Sequence, residues 1–118
     1  MPNLIEESLI PADNLILTVS QFTEQVKEVL ESQLSDCWIR GEISNFRRQS
    51  SGHCYFSLKD SNSVLSAVVF RGDALRLNVE LHDGLEIIAY GRVNVYEPRG
   101  TYQLIVRFII DDGAGKLQ

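Results

Sequence analysis

Tyr55 sits in a run of alternating character, His53-Cys54-Tyr55-Phe56-Ser57-Leu58-Lys59, shortly after the paired cations Arg47 and Arg48. A flat ring turned away from a core can stack on an unpaired base, an interaction worth roughly 1–3 kcal/mol. Guanidinium groups beside it can neutralise phosphates and release their counterions. Arg40 and Lys59 fall at outward positions of the same alternation, and Arg99 and Tyr102 frame the later turn Glu97-Pro98-Arg99-Gly100. Arg40, Arg47, Arg48, His53, Tyr55, Lys59, Arg99 and Tyr102 are therefore the candidate residues for holding a strand. Plainer roles stand beside this one: a Tyr packed under a loop, solvated arginines, a hydrogen-bonding His53, and a final hairpin that serves stability or docking. Trp38 also alternates outward, where it either stacks or packs against the preceding helix.

Other chemistries find less support. No nucleophile, base and orienting group can be assembled from the sequence. His53 and His82 lie far apart, and no acid or thiol cluster has metal-ligand spacing. No catalytic residue, metal or cofactor is expected in this chain. Gly113-Ala114-Gly115-Lys116 imitates a phosphate-binding loop, but Leu117 follows the lysine where Ser or Thr is needed. Asp111 and Asp112 are adjacent and would point to opposite faces of a strand, so a loop end suits them better than a metal site. Cys37 and Cys54 are read as free thiols of a reducing, cytoplasmic compartment.

The elements that would position these residues follow from periodicity. Residues 1–17 contain Pro2 and Pro11 and show no sustained period, so they are read as an arm. Thr18 to Leu34 reads as a helix. Thr18 and Gln21 form a capping box, Leu17 and Phe22 can staple it, and Phe22, Val26, Val29, Leu30 and Leu34 make one apolar face to bury against a barrel. After Asp36 the period becomes two. A first strand puts Cys37, Ile39, Gly41 and Ile43 inward, and Trp38, Arg40, Glu42 and Ser44 outward. A polar, basic loop from Phe46 to Gly52 leads to a second strand, His53 to Lys59. A third runs from Val64 to Phe70, and Arg71 to Leu81 is an irregular link with a possible helical turn. The fourth strand, Leu85 to Tyr96, carries Gly91 where a small barrel bends. The fifth, Thr101 to Ile110, alternates Tyr102, Leu104, Val106 and Phe108 against Gln103 and Arg107.

One helix and five strands with a gap after the third suit a mainly β fold, the five-stranded OB barrel with one N-terminal α-helix over residues 18–118. The total charge of −5 hides an uneven distribution. Residues 1–36 hold seven acids and one lysine, whereas residues 37–110 hold nine Arg or Lys against seven acids. A local field, not a total, steers a polyanion. No apolar run approaches the ~20 residues of a membrane helix, and the acidic start is wrong for a signal peptide.

Gly41-Glu42-Ile43-Ser44-Asn45, Ser51-Gly52-His53 running into Tyr55-Phe56, Leu58-Lys59-Asp60, and Tyr96-Glu97-Pro98-Arg99-Gly100 with Tyr102-Gln103 resemble the N-terminal part of the large subunit of exodeoxyribonuclease VII. The likeness runs from about Thr18 to Gln118, and Asp111-Asp112 departs from it in being more acidic. The resemblance implies an OB domain that binds single-stranded DNA. It also implies a nuclease domain beyond this chain, and a coiled-coil region that recruits the small subunit. The parent would be a hydrolase that degrades single-stranded DNA from either end to oligonucleotides, while this chain, a piece of it, would not cleave by itself. Two other readings keep the barrel. One is an anticodon-type domain that binds tRNA; the other is a structural module docked within the parent complex.

Overall fold

The computed structural model describes residues 8–113. The first seven residues of the expected arm, and residues 114–116 of the glycine-rich run, lie outside that range. Helix α1 spans Val19–Gln33 and begins as the sequence predicts. The Thr18 hydroxyl accepts from Gln21 N–H at 3.1 Å, and the Gln21 side chain accepts from Thr18 N–H at 2.9 Å.

Five strands follow: β1 (Cys37–Arg48), β2 (Cys54–Lys59), β3 (Val64–Val69), β4 (Glu86–Tyr96) and β5 (Thr101–Asp111). They close in the order β1-β2-β3-β5-β4, with β3 and β5 parallel and the other pairs antiparallel. Ile43, Cys54, Phe56, Leu58, Ala67, Val69, Ile87, Ala89, Leu104 and Val106 alternate inward and form the core. A short helix α2 (Arg71–Ala74) opens the link to β4, and Ala74, Leu77, Val79 and Leu81 from that link pack against the core. Cys37 and Cys54 are free.

Closure depends on β4, which pairs with β1 along one edge and with β5 along the other. At Gly91 the β5 backbone comes so near that a Cβ would lie 2.1 Å from the Ile105 carbonyl oxygen. The β4–β5 register shifts at Tyr90/Gly91. An extra residue in β5 breaks the alternation there. Ile109 therefore turns inward and Phe108 outward, 48% exposed, which reverses the inward placement expected for Phe108.

Two further expectations change. β1 does not end near Ser44 but continues through a shift between Ser44 and Arg47, where Asn45 takes φ 52°. Asn tolerates this left-handed conformation because its short polar side chain can bond locally. Arg47 and Arg48 thus belong to a strand, not to the loop. Secondly, α1 does not bury its apolar face: Phe22 is 59% exposed and Val29 58%, and Phe22, Val26, Val29 and Leu30 line an open groove. The helix is held on β4 by polar groups instead. Glu31 accepts from Lys27 at 2.7 Å, from Val95 N–H at 2.9 Å and from Asn94 at 3.2 Å. Val93 N–H donates to Leu34 O at 2.9 Å. The Lys27 ammonium foremost, then the Val95 amide, holds the Glu31 carboxyl below its ordinary range.

Gly91→Ala is expected to lower the unfolding free energy by about 3 kcal/mol, the upper end of overpacking costs. Gly72→Ala, in α2 with open space around it, should leave stability unchanged or raise it by up to ~1 kcal/mol. Urea midpoints of the two variants check both. For Glu31 the folded pKa is depressed, so its contribution is present above the unfolded value and disappears as pH falls through the folded one. Glu31→Gln should therefore cost about 1 kcal/mol at neutral pH, the net worth of a hydrogen bond in a partly exposed, screened setting. The gap from wild type should close in strong acid, read from urea midpoints at several pH values.

Candidate nucleic-acid interface

Register fixes which side chains share the outer face of β1, β2 and β3. Arg47 stands opposite Tyr55, and Tyr55 opposite Val68. The next row is Ser44, Ser57 and Ser66, and the next Glu42, Lys59 and Val64. Cross-strand partners lie on one side of a sheet, with Cβ atoms ~5 Å apart. Arg47 and Tyr55 are thus cross-strand neighbours. The serine row next to them keeps the surface low and offers hydroxyls as donors or acceptors.

Two more cations reach that end, Arg48 from the close of β1 and Arg71 from α2. Gln49 N–H donates to His53 O, and Gly52 N–H to Gln49 O, both at 2.9 Å, which folds residues 49–53 into a tight turn. Arg48 lies over the Phe46 ring at 5.7 Å, and Arg47 bonds the Asn45 carbonyl at 3.0 Å. Arg71 was missed by sequence reasoning. Its backbone N–H donates to His53 Nδ1 at 2.9 Å, and its side chain packs over Gly52. No local signal announces a contact across eighteen residues; only the β2–β3 hairpin makes it. His53 in turn packs edge-on against Phe70, with ring centroids 5.4 Å apart. Its Nδ1 is therefore committed to holding α2 against the loop.

At the other end, Ser66, Tyr96, Arg99, Thr101, Tyr102 and Gln103 line an open groove of about 400 Å³. Ser66 belongs to both the groove and the serine row, so the outer face of β3 runs into the β4–β5 hairpin. A 3₁₀ turn, Glu97–Arg99, makes that hairpin and closes on Gly100 at φ 61°. Tyr102 has the inward parity of Leu104 but sits at the rim, 58% exposed.

Arg40 and Lys59 have other surroundings. Arg40 pairs with Asp112 at 2.7 Å, and Lys59 lies 3.9 Å from Glu42. Both line a cleft of about 640 Å³ with Glu42, Asp60, Glu86 and Asp112. Two cations among four carboxylates do not attract a polyanion. Arg47, Arg48, Arg71 and Arg99 have no carboxylate in such a cleft. Trp38 meets Tyr90, its partner on β4, with centroids 4.6 Å apart, and remains 58% exposed. Among the described residues no group of three His, Cys, Asp or Glu could hold a metal, and no helix is long and apolar enough to cross a membrane.

A family described as "OB-fold nucleic acid binding domain" matches residues 17–109. The chain belongs to this family. Similar curated proteins, 40–48% identical, carry the name exodeoxyribonuclease 7 large subunit. That of Halalkalibacterium halodurans is 48% identical over 86% of this chain and 23% of its own length. The chain spans about a quarter of the length of the curated relatives it matches. Among solved structures, asparaginyl-tRNA synthetase from Pyrococcus horikoshii with asparaginyl-adenylate is similar, with TM-score 0.55 and 19% identity over 77% of this chain and 21% of that one. A replication protein A heterotrimer bound to ssDNA gives TM-score 0.53 at 10% identity over 66% and 57%. At such identities the shared feature is the barrel.

Proposed function

We propose that this OB domain holds single-stranded DNA for a nuclease domain carried elsewhere in the full-length protein, an exodeoxyribonuclease VII large subunit. The observation that carries the reading is the register that sets exposed Arg47 opposite half-buried Tyr55 on the outer face of β1 and β2. The ring offers a base its flat side, and the guanidinium beside it meets a phosphate. Arg48 and Arg71 extend the positive end, and Arg99 with Tyr102 receives the strand at the far groove. Stacking accepts every base, so sequence preference is slight. The name shared by relatives at 40–48% identity supports the substrate. The likeness in fold to a replication protein A heterotrimer bound to ssDNA is consistent with this reading and supports no more than the architecture. The working compartment is the cytoplasm, the cleavage of phosphodiester bonds belongs to the rest of the large subunit, and the small subunit joins through that remainder. This domain needs no metal or cofactor of its own.

Fluorescence titration with labelled oligonucleotides tests the proposal. Binding should favour single strands over duplex and weaken with salt; preference for duplex, or for matched RNA over DNA, would overturn it, the latter in favour of an anticodon-type role. Tyr55→Ala should raise Kd by about 5- to 150-fold, the equivalent of 1–3 kcal/mol of stacking. Arg47→Ala and Arg71→Ala should each reduce the slope of log K against log salt by about 0.7. Arg40→Ala, already neutralised by Asp112, should change that slope far less.

A further inference from the structure

The opposite side of the barrel carries a second surface of different character. On the outer face of β1, β4 and β5, Trp38, Tyr90 and Phe108 form one cross-strand row, and Arg40, Ile88 and Ile110 the next. Trp38 is 58% exposed, Phe108 48% and Ile110 42%. These large side chains are contiguous, unlike the scattered apolar residues of an ordinary surface. Asp36 accepts from the Tyr90 hydroxyl and fixes that ring in place.

The charges beside this patch decide what suits it. Glu42, Glu86, Asp60 and Asp112 line the cleft at one border. Of the cations beside the rings, Arg40 is paired with Asp112 at 2.7 Å and Arg107 with Asp73 at 2.9 Å, which leaves Arg92, two residues on from Tyr90, as one exposed arginine without a carboxylate partner among the described residues. An unpaired nucleic-acid strand would bring phosphates against carboxylates. A protein surface with an apolar centre and a rim of N–H or cationic donors fits instead. Asp112 adds an independent sign. Its side chain is only 8% exposed, and its Oδ1 has no hydrogen-bond partner. A buried acceptor left open calls for a donor.

We infer that this face docks a later part of the same polypeptide in the full-length protein. β5 ends at Asp111, next to Ile110 and Asp112, so the chain leaves the barrel at the border of the patch. The curated relatives run to about four times the length covered here. A segment tethered at the border meets the patch at high effective concentration, which makes even a modest interface persist. The docked surface covers Trp38, Tyr90, Ile88, Phe108 and Ile110 and supplies a donor to Asp112 Oδ1. The strand-holding face of β1–β3 stays open.

The test is photo-crosslinking in the full-length protein with p-benzoylphenylalanine replacing Phe108, mapped by mass spectrometry. The expected result is an intramolecular link to residues beyond 118, with the yield falling to background when the probe replaces Ser66. No link above that background, links to a second copy, or links only to added oligonucleotide would overturn the inference. Phe108→Asp in residues 1–118 separates this surface from the DNA face: oligonucleotide Kd should stay within about twofold, as for surface changes away from a site. A larger loss of binding would place DNA on this face and overturn the inference.

Discussion

The close approach of β4 and β5 at Gly91 is the constraint on which the other features depend. Only a residue without a Cβ lets the two backbones come this near. With that contact, β4 turns from its pairing with β1 towards full pairing with β5, and the sheet closes with no long open edge. Closure divides each strand's side chains strictly into inside and outside. Every surface feature of the domain is a consequence of that division, because an outward residue's neighbours are then set by register alone.

β1 shows how one strand serves two surfaces. Its first half, Cys37 to Glu42, pairs with β4, and its second, Glu42 to Arg48, with β2. Glu42 stands at the handover, opposite both Lys59 and Glu86. Trp38 therefore joins an aromatic row on one side, while Arg47 joins Tyr55 on the other. The two sides differ in free charge more than in composition. On the β4–β5 side Arg40 and Arg107 are spent on Asp112 and Asp73, and Arg92 is left without a carboxylate partner among the described residues. At the β1–β2 end, Arg47, Arg48 and Arg71 face solvent without such partners, which matters more to a polyanion than the total of −5.

Much of this was legible in the sequence. The change of period at Asp36, the capping box at Thr18 and the turn at Glu97–Gly100 gave the element order and the barrel. Outward parity of Tyr55 followed from alternation, whereas the alternation that groups Tyr102 with inward Leu104 does not tell that Tyr102 is exposed at the rim. What resisted reading was whatever depends on irregularity or on distant contact. The shift at Asn45 adds residues to β1 that look like loop, because a single positive φ is not visible in a residue type. The β5 irregularity at Arg107–Phe108 reverses parity after Val106, so simple alternation sent Phe108 to the wrong side. Arg71 reaches the loop only through the His53 ring, and the pairing of Arg40 with Asp112 joins the two ends of the domain. The apolar stripe of α1 was read correctly as a stripe, but helical periodicity says nothing about what covers it.

That stripe also shows how the helix can be anchored without being buried. Glu31 takes three donors, two of them from the end of β4, so α1 is fixed by a charged group at one point near the β4–β5 hairpin. Hydrogen bonds of this kind are directional and short, and they orient a helix without demanding a matched apolar surface beneath it. The hairpin whose groove contains Arg99 and Tyr102 therefore has a rigid neighbour on its outer side. Under the proposed reading, the groove that receives a strand is thus built on a hairpin already anchored, so less ordering entropy is lost on binding than in a free loop.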